Sequence, residues 1–126
     1  MRLTTFHHDI VSEFLKDKKS LKIQEIDSDF RLFEQAFSAL KIRLPGLVQI
    51  SGLEKKGIRI PIYKARKFRC KSMNVGSNSG VRVILAYFKE KDTVVYIETY
   101  KKNSQENHDE NRILKYFKGK IEKDFV

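Results

Sequence analysis

The sequence predicts an α+β domain whose order of elements is β-α-α-β-β-β-α. Three observations predict it. Phe30, Phe33, Phe37 and Leu40 recur at a helical period and form one broad apolar stripe. The second half changes to β-prone runs, Val81 to Phe88 and Thr93 to Tyr100, separated by a short polar turn at Glu90-Lys91-Asp92. The chain of 126 residues is long enough for one domain, spanning 1–126, with one small core. Helices that precede an antiparallel meander are expected to pack on one face of a twisted sheet, leaving the other face open and concave.

The elements follow in order. Residues 2–8 offer a weakly alternating first strand. Asp9 is placed to cap a short helix with Ile10, Val11, Phe14 and Leu15 on one face. Lys16 to Ser20 reads as a charged connection. Asp27, Ser28 and Asp29 supply caps for the second helix, which Pro45-Gly46 ends. Ile58, Ile60 and Ile62, continuing through Phe68, read as a strand. Residues 70–80, CKSMNVGSNSG, form a polar loop. Asn107 with Glu110 three residues on resembles a capping box, and Ile113, Leu114, Phe117 and Ile121 give the last helix its apolar face.

Charge is the strongest bulk clue. The formal net charge is +10, which favours a polyanionic partner. The charge is also segregated. Lys55, Lys56, Arg59, Lys64, Arg66, Lys67, Arg69 and Lys71 fall in one stretch without an acidic residue, whereas acids gather in Glu25–Glu34 and Glu106–Glu110. No apolar run approaches the roughly 20 residues of a membrane span. The first residues, MRLTTFHHDI, carry no signal-peptide pattern, and the single cysteine, Cys70, fits a reducing cytoplasmic setting.

The chemistry concentrates between Ile58 and Arg112. Lys64 and Arg66 are two apart on a strand and share a face. Arg82 opens the next strand, and the turn at 90–92 returns Lys101 and Lys102 to the same end. Lys67, Arg69 and Tyr100 flank this group as further phosphate contacts. Such a cluster suits phosphate binding and metal-independent cleavage of RNA, in which the 2′-hydroxyl attacks the adjacent phosphorus and the 5′-oxygen leaves. Arg82 is suited to stabilise the added negative charge. Lys64, crowded by cations, is the expected base. His108, at the start of the last helix, is the first choice of proton donor, with Tyr100 and Tyr63 as alternatives. His7 and His8 would face opposite sides of a strand and are expected to be surface residues. No HxxxH, CxxC or clustered carboxylates occur, so no metal site and no cofactor are expected. GSNSG at 76–80 lacks the Lys-Ser/Thr of a P-loop and reads as a turn.

The segments IYKAR, GVRVILAYF, VVYIETYKK and NRILKYF, in this order between about Ile60 and Lys118, resemble the RelE/ParE superfamily of bacterial toxins. The resemblance implies a RelE-like fold over nearly the whole chain. Its RelE branch implies a ribosome-dependent endoribonuclease that cuts mRNA in the ribosomal A site, in contact with 16S rRNA, and arrests growth. It also implies a small, usually acidic antitoxin that covers the basic face. By motif position, Lys64 takes the place of the first strand lysine and Arg66 that of the second. Arg82 matches the arginine after the strand glycine, Lys101 or Lys102 a later cation, and His108, more loosely, the terminal acid or base. The ParE branch shares the fold, inhibits DNA gyrase and lacks the nuclease residues. A basic nucleic-acid-binding module without toxicity is the third reading.

Overall fold

The computed structural model of the protein describes residues 4–125, so Arg2, Leu3 and the two terminal residues of the expected domain lie outside the described residues. Eight elements of regular α- or β-structure follow one another: β1 (Thr5–His7), α1 (Ser12–Ser20), α2 (Ile26–Leu40), β2 (Leu47–Gln49), β3 (Ile62–Ala65), β4 (Val81–Phe88), β5 (Thr93–Lys101) and α3 (Glu110–Phe117). The strands form one sheet in the order β1-β5-β4-β3-β2. The expected α+β class holds, but the sheet is mixed rather than antiparallel. The α1–α2 crossover carries the chain from β1 at one edge to β2 at the other, and β1 lies parallel to β5, with Phe6 opposite Val94. β2 to β5 form the antiparallel meander.

Both faces of the sheet are covered, which corrects the expectation of helices on one side. Alternate residues of β4 divide between two cores. Val83, Leu85 and Tyr87 meet Phe14 of α1 and Phe30, Phe33 and Phe37 of α2. Ile84, Ala86 and Phe88 meet Ile113 and Phe117 of α3, with Leu53, Ile58 and Ile60 from the chain before β3. The aromatic residues of the first core interlock: Phe14 stacks on Tyr96 at 4.9 Å between centroids, and Phe30 meets Phe68 at 4.8 Å.

Several element boundaries differ from expectation for physical reasons. α1 begins after Val11 rather than Asp9, without a side-chain cap, and it runs through Lys16–Ser20. That charged half is held by ion pairs instead of apolar burial: Lys18 reaches Asp27 at 2.8 Å, and Asp17 pairs with Arg112. Leu15, expected inward, is 48% exposed. α2 starts after Glu25 and stops at Leu40, short of Pro45, where Lys41 takes a positive φ of 54°, outside the right-handed α region. β3 is only four residues, since Pro61 has no N–H for the ladder; Ile58 and Ile60 plug the second core from outside the sheet. α3 is capped by Asp109, whose side chain accepts from the Arg112 N–H at 3.2 Å, and not by Asn107. It ends at Phe117, leaving Ile121 exposed.

One irregularity shapes the second face of the sheet. The β4–β5 ladder pairs Ile84 with Glu98 but Leu85 with Tyr96, so Ile97 is an extra residue. This β-bulge lets Ile97 stay in the second core while Glu98 turns onto the same face.

Candidate functional site

The second core does not reach the end of its face. Beyond Ile84 the strands carry polar side chains where α3 no longer covers them. β3 contributes Lys64, which lies opposite Ile84, and β4 and β5 contribute the cross-strand pair Arg82 and Tyr100. With Arg66 and Lys102 these residues line an open cleft of about 830 Å³. Its other wall is the segment before α3, with Asn107, His108, Glu106 and Glu110, and its rim is Val48 to Ser51. The cleft thus gathers Lys64, Arg66, Arg82, Tyr100, Lys102 and His108, six of the nine residues anticipated from the sequence.

The other three point elsewhere. Lys67 lines a second, adjoining cleft together with Arg66 and Arg82. Arg69 lies beside Asp29 and Leu32, along α2. Lys101 alternates to the opposite face and lines a groove with Asp17 of α1 and Leu21, the residue after that helix. Tyr63, the alternative proton donor, packs against the first core. His8, expected on the surface, is half-buried: its Nε2 meets Glu34 Oε2 at 2.8 Å and its ring lies 4.6 Å from that of Tyr96.

Within the cleft the polar groups are linked. Lys64 Nζ donates to Asn107 Oδ1 at 2.9 Å, and the same oxygen accepts from the His108 N–H at 3.0 Å. One amide therefore holds the Lys64 ammonium and the main chain of His108. Arg82 Nη1 donates to the Arg66 carbonyl at 3.2 Å, which fixes the guanidinium across the strand end. Tyr100 is 6% exposed. Burial, and then the charge of Glu98, raise its phenol above its ordinary range, against the opposing pull of Arg82.

Lys64 and His108 are both shifted downwards. For Lys64 the main cause is burial, followed by Arg66 and Arg82, with Lys102 adding to them and Glu98 opposing. For His108 burial again leads, followed by the charge of Lys64, while Glu110 and Asp109 oppose. His108 Nδ1 is buried and has no hydrogen-bond partner among the described residues.

Glu98 is the residue that the sequence reading missed. It is 3% exposed, and its charge acts on both Lys64 and Tyr100. One carboxylate oxygen accepts from Gln105 Nε2 at 2.7 Å and the other from the Asp109 N–H at 2.7 Å. Gln105 also donates to the Asn107 carbonyl at 2.7 Å. Glu98 thereby ties down the loop that presents Asn107 and His108. A signal was present: Glu98 is the lone charged side chain in the apolar run Thr93 to Tyr100. Buried carboxylates are rare without such partners.

Among the described residues no group of three or more His, Cys, Asp or Glu is placed to hold a metal ion, and no helix is long and apolar enough to cross a membrane. The cleft's positive charge comes from the side chains of Lys64, Arg66, Arg82 and Lys102. No protein-family model, curated protein or solved structure matches the chain.

Proposed function

We propose that the protein is a metal-independent endoribonuclease acting on mRNA at the ribosome, the toxin of a two-component system, as the resemblance to the RelE branch implies. The observation that carries the reading is the Lys64–Asn107–His108 link inside a cleft otherwise lined by Arg66, Arg82 and Lys102. Phosphate binding alone needs cations. The amide sets the Lys64 ammonium beside the His108 backbone, and the charge of Lys64 acts on the His108 imidazole. Two proton-transfer groups thus neighbour one another beside those cations, which suits a reaction that removes one proton and supplies another.

The directions of the shifts favour a division of labour opposite to the one expected from the sequence. His108, held below its ordinary 6.5, is neutral near pH 7 and is the better acceptor for the 2′-hydroxyl proton. The 2′-oxygen then forms a bond to phosphorus as the bond to the 5′-oxygen breaks. Lys64, whose hold on its proton burial and the neighbouring Arg66 and Arg82 weaken, gives its proton to the leaving 5′-oxygen. Arg82, Arg66 and Lys102 face the charge that builds on the phosphoryl oxygens. The products are a 2′,3′-cyclic phosphate and a 5′-hydroxyl, with protons balanced between base and acid. A small acidic partner covering the cleft would silence the enzyme by charge complementarity.

Inducing the chain in a bacterial host beside Arg82→Ala tests the reading. The expected result is growth arrest with cuts phased to codons in translated mRNA. Arg82→Ala should lower cleavage by about 10²–10³-fold, the scale of losing one charge-stabilising donor. Arrest without cuts overturns the reading in favour of gyrase inhibition. Binding of RNA without arrest or cuts overturns it in favour of a nucleic-acid-binding module.

A further inference from the structure

The geometry points to a second phosphate subsite, beside the first, that makes the ligand a single strand with at least two consecutive phosphates rather than a mononucleotide. This rests on the proposed function for its identification of RNA as the ligand. The adjoining cleft of about 450 Å³ shares Val48, Arg66 and Arg82 with the first and adds Gly46, Lys67, Asn78 and Gly80. Arg66 and Arg82, joined by the Arg82-to-Arg66 hydrogen bond, therefore form a ridge with a cleft on either side.

The two clefts differ in chemistry. The first holds Lys64, His108 and Tyr100 together with the carboxylates of Glu106 and Glu110. No carboxylate is among the described residues that line the second, and Arg66, Lys67 and Arg82 form no ion pair among the described residues. The second cleft has nothing suited to move a proton. It has three cations and an amide, which suit an anion held in place. Packing defines the position of Lys67. Gly46, at a φ of +82°, has its hydrogen where a Cβ would lie 2.7 Å from Lys67 Cγ, so the lysine stem lies down against the glycine backbone. The Gly46 carbonyl in turn accepts from the Arg66 N–H at 3.0 Å. Turn, stem and ridge form one unit.

A strand laid across the ridge would set one phosphate in the first cleft, where the chemistry lies, and its neighbour against Lys67. A basic groove that follows the backbone is how single strands are held without sequence readout. A duplex presents its phosphates on a rigid helix and cannot fold one strand into both clefts.

The test is fluorescence anisotropy with labelled 2′-O-methyl oligonucleotides, which cannot be cleaved. A dinucleotide carries one internucleotide phosphate and a trinucleotide carries two. For the wild-type chain the trinucleotide is expected to bind about tenfold more tightly than the dinucleotide, with a salt slope steeper by about 0.7 for the added contact. Lys67→Gln, an exposed change that leaves the core intact, is expected to bind the two with equal affinity and equal slope. Asn78→Ala should reduce the same increment in part. Equal affinity of the wild-type chain for both lengths overturns the subsite, as does an increment that survives in Lys67→Gln. Tighter binding of a duplex than of a single strand also overturns it. Cleavage of natural RNA is scored separately. A length increment without cleavage keeps the subsite and removes the nuclease reading; cleavage without the increment does the reverse.

Discussion

At the scale of single residues, three groups in the cleft constrain one another. Lys64 lowers the affinity of the His108 imidazole for a proton, and Asn107 Oδ1 accepts from both the Lys64 ammonium and the His108 backbone N–H. The pH dependence follows from the signs. A base held below 6.5 must lose its proton before it works, so activity should rise with pH through a midpoint under 6.5. An acid held below 10.5 must keep its proton, so activity should fall again through a midpoint under 10.5. The check is a pH profile of cleavage of a short RNA. His108→Gln should remove the acid limb and cost about 10²–10⁴-fold. A surviving acid limb in that variant would reassign the base. Glu98 gives a second prediction. Glu98→Gln puts an amide donor where the carboxylate accepts from Gln105 and Asp109, so one buried donor goes unpaired at a cost of about 1–3 kcal/mol. It also removes the charge that opposes the downward shift of Lys64, so the alkaline limb should move to still lower pH. That movement separates a positioning role from a merely structural one, because loss of stability alone leaves the limb in place.

At the scale of elements the α1–α3 contact is electrostatic. Arg112 of α3 pairs with Asp17 and donates to the Ile97 carbonyl at 3.0 Å. Tyr116 donates to Glu13, which also accepts from Ser12 at 2.8 Å. These bonds from Tyr116 and Ser12, aided by Lys115 and Arg112 against a smaller opposing effect of burial, hold Glu13 at about 2 rather than its ordinary 4.5. A carboxyl depressed on folding stabilises the fold fully above its unfolded value and ceases to do so as pH falls through its folded value. Acid destabilisation should therefore include a component between pH 4.5 and about 2 that Glu13→Gln abolishes, checked by denaturant midpoints across that range. The same contact explains why half of α1 was hidden in the sequence. Lys16 to Ser20 has no apolar stripe, and its helical state is fixed by partners distant along the chain, Asp17 with Arg112 above all. β2 was hidden for a different reason. Three residues cannot display a period, and Leu47–Gln49 becomes a strand only because β3 lies beside it. β4 and β5 were read correctly because eight and nine residues of β-prone sequence leave little choice.

For the whole molecule the sheet acts as a partition, and the two sides have different duties. The segregated charge and the order of the strands were enough to collect Lys64, Arg66, Arg82 and Lys102 at one place, because strand ends converge whatever the details of the turns. What covered the second face was not readable, since α3 and the chain from Leu53 to Ile60 declare their side of the sheet only through packing. That side matters for function. The loop bearing Asn107 and His108 leads directly into α3, which is seated on the second core by Ile113 and Phe117. The first core, under α1 and α2, lies across the sheet from the cleft. Phe117 and Phe30 are both almost wholly buried aromatic residues, at 0% and 1% exposure, so Phe117→Leu and Phe30→Leu should each cost about 1–3 kcal/mol. Their effects on the cleft should differ. Loosening α3 shifts the platform of His108, so Phe117→Leu should slow cleavage several-fold at a temperature where the variant is still fully folded. Phe30→Leu, with the sheet between it and the cleft, should lose the same stability with little change in rate. Rates that fall equally in the two variants would mean that the site depends on global stability alone. Rates that fall only with Phe117 would tie the geometry of the cleft to the second core.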